Sequence, residues 1–252
     1  MSYEALNHSY DAYEHAIHHI LQNRQYDFLQ DKNNHICAIF GVDVSLGMLY
    51  CAQIAKDFPH YANAITQGDY REQMEKFVAL GEQETFFSED LQTTMTANMA
   101  RYIYHALVIH VYILKKFDTT PIDVFEIGGG YGGLCYWLQV FCPTVSTYTV
   151  LDLPAPCELQ QHCSAYLGVS CVSISHVEYY TKTSNPLFVI SNYGYAELNT
   201  HYQTLYKETI LKDADAGFMI WNNWTGIFPF TDLPLHIENE RPEYCQNKFI
   251  YF

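Results

Sequence analysis

Ten consecutive residues, Val124-Phe125-Glu126-Ile127-Gly128-Gly129-Gly130-Tyr131-Gly132-Gly133, restrict what this chain can fold into more than any other stretch. An apolar run carrying one acid passes straight into glycines, and Leu134-Cys135-Tyr136-Trp137-Leu138 then reads as the start of a helix. Strand, glycine turn and helix in that order form a nucleotide-cofactor loop. The glycines let the backbone turn tightly and let a ligand approach where a Cβ would collide. The helix N-terminus adds unpaired N–H groups that favour a carboxylate or phosphate.

The spacing Gly128-x-Gly130-x-x-Gly133 satisfies the dinucleotide fingerprint, which by itself does not choose a ligand. Glu126, two residues before the first glycine, makes the pattern acid-x-Gly-x-Gly-x-Gly. That pattern resembles the signature of S-adenosylmethionine (SAM) methyltransferases, and the resemblance implies that the acid supports the methionine amino group. Ser146-Thr147-Tyr148-Thr149-Val150-Leu151-Asp152 reads as the next strand, ending in an acid placed to accept both ribose hydroxyls. SAM and NAD share that ribose, so Asp152 supports nucleotide binding without deciding between them. A ligand-free glycine turn would require loop, helix and second acid to coincide.

At 252 residues the chain holds one large domain, or one domain with a helical extension. Apolar residues make up 49% of it, which supplies a core and excludes disorder. A formal net charge of −15 argues against nucleic acid or an anionic membrane as partner, since phosphate binding needs clustered Lys and Arg. Acidity also suits a cationic sulfonium ligand, although solubility explains it first. The eight cysteines form no C-x-x-C pair, and Cys135, Cys142, Cys163 and Cys171 read as buried thiols of a reducing compartment. Met1-Ser2-Tyr3-Glu4 opens no signal peptide, and Tyr102 to Leu114, interrupted by His105 and His110, is too short to span a bilayer. The expectation is a soluble, cytoplasmic protein without membrane insertion.

Residues 1–118 read as a helical N-terminal region forming a lid or acceptor-binding part, and 119–252 as the cofactor-binding domain. Helices are expected from Tyr10 to Leu29, from Leu46 to Lys56 and from Asp69 to Leu80. Ser88-Glu89-Asp90-Leu91 is read as the cap of a long helix continuing to Lys116, buried in its later half. From Pro121 short apolar strands alternate with helices: Ile122–Ile127, Thr147–Leu151, Ser170–Ser175, Leu187–Ser191 and Gly217–Trp221, separated by Leu134–Phe141, Ala155–Leu167 and Leu198–Leu211. This implies an α/β fold with a parallel sheet covered on both faces. His236-Ile237-Glu238 and Asn247 to Phe252, the latter holding the strand Lys248–Phe252, flank Arg241-Pro242 with too little chain for a helical crossover, so they should pair antiparallel. A mostly parallel seven-stranded sheet closed by an antiparallel C-terminal hairpin is the Rossmann-like class I methyltransferase arrangement rather than the usual NAD-binding one.

Three blocks together carry a narrower resemblance: Glu126–Leu134, Tyr148-Thr149-Val150-Leu151-Asp152-Leu153-Pro154, and Ile190-Ser191-Asn192-Tyr193-Gly194-Tyr195-Ala196-Glu197-Leu198. They resemble the sugar O-methyltransferases found beside bacterial polysaccharide genes and in glycan-assembly enzymes of large DNA viruses. Gln203, Tyr206 and Asn222 fall where similar residues recur in that family, and the resemblance covers roughly 121 to 252. It implies methyl transfer from SAM to a hydroxyl of a sugar or glycan, leaving S-adenosylhomocysteine (SAH). It places Glu126, Gly128, Gly130, Tyr131, Gly132, Asp152, Leu153, His176 and Asn192 at the cofactor.

A sugar hydroxyl is a poor nucleophile, so a base on a loop at the carboxyl ends of the strands must take its proton. Glu197, after the fourth strand, and His236, before the hairpin, are the candidates. Glu197 is equally well read as a charge complementing a helix N-terminus, and His236, a residue type suited to base catalysis, as a surface residue at a strand edge. Glu197, His236 and Asp152 carry donors able to ligate Mg²⁺, but no all-carboxylate cluster exists, so metal dependence stays open. His15, His18 and His19 share one helical turn without a zinc-helix glutamate and read as solvated. Trp221, Trp224, Phe228 and Phe230 read first as core and second as a sugar-stacking wall. Arg101, in an apolar helix, should be paired if buried. Methylation of another small-molecule hydroxyl or amine, a non-catalytic SAM-binding subunit and an NAD oxidoreductase are the competing readings. Glu126 and the terminal hairpin weigh against the last.

Overall fold

The computed structural model describes residues 3–23, 42–80, 84–222, 235–243 and 245–252. The chain opens with helices α1 (Tyr3–Asn23), α2 (Val44–Asp57), α3 (Pro59–Gln67) and α4 (Arg71–Ala79). Asp43 caps α2 by accepting the Leu46 N–H at 2.8 Å. Leu46, Tyr50, Cys51 and Ile54 of α2 form its buried face. Helix α3 has no counterpart in the sequence reading. Pro59 stands at its first turn, and Gly68, at φ +87°, ends it in the left-handed conformation.

The long helix expected to open at Ser88 is corrected. Thr85–Ser88 (β1) and Thr93–Thr96 (β2) instead form an antiparallel hairpin, with Phe86 opposite Met95. Ser88 Oγ does accept the Leu91 N–H, at 3.2 Å. A side-chain oxygen taking an N–H three residues on stabilises a turn as well as a helix start, and the threonine-rich run after it favours strand. The helix itself, α5 (Ala97–Phe117), begins nine residues later under a Thr96 cap at 3.1 Å.

The remaining elements are β3 (Ile122–Ile127), α6 (Gly133–Phe141), β4 (Val145–Leu151), α7 (Pro154–Leu167), β5 (Val172–Ile174), β6 (Leu187–Asn192), α8 (Gly194–Glu197), α9 (Thr200–Thr209), β7 (Ala216–Trp221), β8 (His236–Asn239) and β9 (Lys248–Tyr251). The helix expected over Leu198–Leu211 is α9, capped by Asn199, and the one-turn α8 precedes it. The seven-stranded sheet runs β5-β4-β3-β6-β7-β9-β8. Strands β3 to β7 are parallel, and β9 lies antiparallel between β7 and β8. The strand order reverses between β3 and β6, which creates a crevice at the carboxyl ends of these strands.

Alternate residues of β3 enter two cores. Val124 joins Tyr148, Val150 and the helices α5, α6 and α7 on one face, while Phe125 and Ile127 join Val189, Met219 and Phe252 on the other. Each such side chain contributes about 1.5–3 kcal/mol on burial. Between β5 and β6 there is only a 3₁₀ turn, Val177–Tyr179, where a crossover helix would cover the sheet. That leaves a cavity of about 220 Å³ over Phe125, Thr149 and Ile174, on the sheet face away from the glycine loop. Among the described residues no helix is long and apolar enough to cross a membrane.

Gly217 shows how closely the second core is packed: a Cβ there would lie 2.1–2.7 Å from the Phe252 ring. Gly217→Ala is expected to lower the unfolding free energy by about 1–3 kcal/mol. Adding Phe252→Leu should cost less than the two separate losses combined, as read by urea denaturation; strict additivity would show that the contact is not limiting.

Candidate functional site

The loop after β3 turns through Gly128, Gly130 and Gly132, all at positive φ of +55° to +88°. A Cβ at Gly132 would meet nothing within 4 Å, so the loop opens outward there. At Gly129 a Cβ would meet Val150 at 2.6 Å and Glu126 Oε2 at 3.2 Å, so the loop rests directly on the two strands. Tyr131 is fully buried, with its ring against Tyr102 and Phe77.

Asp152 holds that loop down. Its Oδ2 accepts the Gly129 N–H and the Gln160 amide, each at 2.9 Å, and its Oδ1 accepts the Leu153 N–H at 2.9 Å. Burial pushes its pKa up to about 6, against these donors. Gln160 also donates to the Gly130 carbonyl at 3.0 Å and is wholly buried, with its Oε1 unpartnered. Sequence reading missed Gln160; its only signal is an amide on the mostly apolar inward face of α7. Leu153 is the N-cap of α7.

Glu126 was expected against the methionine amino group, but its carboxyl lies under the loop. It is 2% exposed, on the same face of β3 as Val124, and Tyr148 donates to it at 2.8 Å. Burial pushes its pKa up to about 8, so it is mostly a neutral acid at pH 7.

Across the crevice stand the residues after β6. Ser191 Oγ donates to the Ile127 carbonyl at 2.7 Å and accepts the Tyr195 N–H at 2.8 Å. A Cβ at Gly194 would meet the Ile127 carbonyl at 2.9 Å, so glycine lets the two loops touch. The Asn192 amide donates to His105 Nδ1 at 3.2 Å, and its own Oδ1 is buried without a partner among the described residues. Glu197 is half-buried, accepts from Asn222 Nδ2 at 2.8 Å, and has its pKa raised by burial. A desolvated carboxylate fixed by one amide is suited to accept a proton.

The structure therefore gathers Gly128, Gly130, Gly132, Asp152, Asn192 and Glu197 at the carboxyl ends of β3, β4 and β6. His176, exposed just beyond β5, lies at the same end, its ring edge-on to Tyr179. His236 does not join them. It is exposed on the edge strand β8, paired with Tyr251, which in turn pairs with Phe218, three residues short of the end of β7. Trp221 is buried beside Tyr195, while Trp224, Phe228 and Phe230 lie outside the described residues. Among the described residues no group of three His, Cys, Asp or Glu is placed to hold a metal.

Sequence reading also missed a buried polar cluster beside the crevice. His105 Nε2 lies 3.5 Å from Tyr50 Oη and 3.9 Å from Glu240 Oε1, and Glu240 accepts from Tyr193 Oη and, at 2.8 Å, from Asn247. Burial, and then the Arg101 charge, hold the His105 pKa well below its ordinary value. The neutral ring accepts from Asn192 at Nδ1, which assigns its proton to Nε2. The traceable signal was the pair Arg101 and His105, four apart on one face of an apolar helix.

No family model matches this chain, and no curated protein does. Solved structures similar to it include the plantazolicin methyltransferase BpumL in complex with a monoazolic desmethylPZN analog and SAH. That pair is 14% identical over 71% of this chain and 60% of the other, with a TM-score of 0.40. Magnesium protoporphyrin IX methyltransferase (ChlM) from Synechocystis PCC 6803 with bound SAM is 10% identical over 61% and 81%, with a TM-score of 0.43. The mitomycin 7-O-methyltransferase MmcR is 11% identical over 62% and 56%, with a TM-score of 0.40. The chain thus spans about 60% of the length of BpumL. At these values the fold assignment rests on the chain's own sheet order.

The buried carboxyls give the site a pH signature. Their folded pKa values, about 6 for Asp152 and about 8 for Glu126, exceed those of unfolded carboxyls. The stability this contributes is full below about pH 4 and is lost as pH rises through those values. Glu126→Gln, which keeps a neutral acceptor for Tyr148, should gain on the wild type between about pH 4 and 8, by at most about 1.4 kcal/mol per pH unit. Denaturation curves that stay parallel across this range would show that Glu126 is ionised when folded.

Proposed function

We propose that this chain is a SAM-dependent O-methyltransferase acting on a hydroxyl of a sugar or glycan. The observation that carries the cofactor is the crevice where the strand order reverses. Its floor is a glycine loop in a conformation that side chains rarely adopt, its β4 side ends in Asp152, and its β6 side presents the unpartnered Oδ1 of Asn192. These features fit SAM. The space above Gly132 admits a ligand, a carboxylate suits ribose hydroxyls, and an amide oxygen suits an ammonium or hydroxyl donor.

When bound, SAM supplies an electrophilic methyl group on a sulfonium. Asp152, Gly128, Gly130 and Gly132 bind and orient it, with His176 on the nucleoside side. Glu197 accepts the acceptor's hydroxyl proton, held in place by Asn222. Alignment of the acceptor adds to the rate without further covalent chemistry. The sugar as acceptor is supported by the three sequence blocks, and the charge of −15 speaks against nucleic acid. Residues 1–118 are proposed to shape the acceptor side.

SAH is expected to bind with micromolar affinity (roughly −8 kcal/mol) and NAD not at all. Asp152→Ala should weaken SAH by about 1.5–3 kcal/mol, as read by calorimetry. With labelled SAM, label should enter glycan hydroxyls. NAD binding without SAH binding, or label entering only protein or nucleic acid, would refute the proposal.

Glu197→Gln keeps the shape and removes the base. Turnover should fall by about 10²–10⁴-fold with SAH affinity unchanged. A variant that loses only about 0.3–1 kcal/mol of stability and keeps its turnover would leave Glu197 as a helix-terminal charge.

A further inference from the structure

Among the described residues Arg101 is a cation without a counter-ion. It sits one turn into α5, half-buried, with its guanidinium 5.2 Å from the Tyr102 ring centroid. Among the described residues no carboxylate lies within ion-pair distance of it, whereas Arg241 has both Asp57 and Glu238 at 3.1 Å. Glu240 feels its charge, but the oxygens of Glu240 are taken by Tyr193 and Asn247. Arg101 faces the phenols of Tyr50, Tyr102, Tyr131 and Tyr193. Tyr102 rests on the loop after β3, its Oη 3.9 Å from where a Cβ of Gly130 would stand, and Tyr193 follows β6, so the guanidinium lies close to both loops that form the crevice. Tyr193 is held at φ +68°, a conformation uncommon for a tyrosine, in keeping with a loop shaped for a ligand.

A cation partly removed from water and unpaired is costly unless a ligand anion completes it. Nothing in the uses of Asp152, Asn192 and Glu197 proposed above employs it. Tyr193, whose phenol lies near the Arg101 charge, follows β6 on one side of β3, and Asp152 ends β4 on the other. SAM has the matching polarity: hydroxyls at the ribose and a carboxylate at the far end of the methionine. We infer that Arg101 is the receptor for a ligand carboxylate in this crevice, and that the carboxylate is that of the cofactor's methionine. The inference rests on the SAM reading. A guanidinium presents two parallel donors to a carboxylate, which a lysine cannot reproduce. An acidic acceptor offers the same group, and the test separates the two sources.

The test is calorimetry on the full chain with two probes, SAH and 5′-methylthioadenosine, which keeps the nucleoside and thioether but lacks the amino acid. Arg101→Gln should weaken SAH about 10- to 100-fold and leave methylthioadenosine within about twofold of wild type, with Arg101→Lys recovering part of the loss. Unchanged SAH affinity in Arg101→Gln would move the carboxylate to the acceptor and overturn the inference. Equal weakening of both probes would also overturn it, since that reports a structural role. Wild-type protein binding neither probe would overturn the SAM reading itself, and the inference with it.

Discussion

The hydrogen bonds from Gly129, Gln160 and Leu153 to the carboxylate of Asp152 are the constraint on which the rest of the site depends. One side chain at the end of β4 satisfies a loop N–H and the first backbone of α7, and it meets an amide that also holds the Gly130 carbonyl. A glycine-rich loop is costly to order because its unfolded states are many. Here its cost is offset by buried, charge-assisted hydrogen bonds, which are stronger than neutral ones. The same bonds leave the other faces of the loop open, so rigidity and access to a ligand come from one arrangement.

Electrostatic polarity follows from this scaffold. Two acids, Glu126 and Asp152, lie under and beside the loop, desolvated and with raised pKa values. A third, Glu197, sits across the crevice and is also raised by burial. Keeping Glu126 neutral avoids placing a second full negative charge next to Asp152, whose charge contributes to raising it. Arg101, as inferred above, supplies an opposing charge, set near the phenols of Tyr50, Tyr102, Tyr131 and Tyr193.

The sheet and the glycine loop were legible because their signals are local. Ile122–Ile127 is an unbroken buried strand, the glycines follow at once, and Asp152 closes the next strand. The hairpin at Thr85–Thr96 was not legible, since Ser88 makes the same hydrogen bond at a turn as at a helix cap. Helix α3 was hidden by its proline, which is as much a helix opener as a breaker. Gln160 and Glu240 were missed for a common reason: each becomes part of the site through partners distant in the chain.

By itself the sequence determined the strand–glycine–helix unit, the alternation that makes a parallel sheet, and the places of Asp152, Asn192 and Glu197 after strand ends, because side-chain period and glycine placement act over a few residues. Only the tertiary structure decided what those residues meet. It put Glu126 beneath the loop rather than at its surface, left His236 on an outer strand level with Phe218, and brought Arg101 and His105 of one helix against Tyr193 and Glu240 of two distant loops. The physical reason is that burial and charge pairing depend on which elements pack together. Sheet order and helix packing set that, and no short window of sequence contains it.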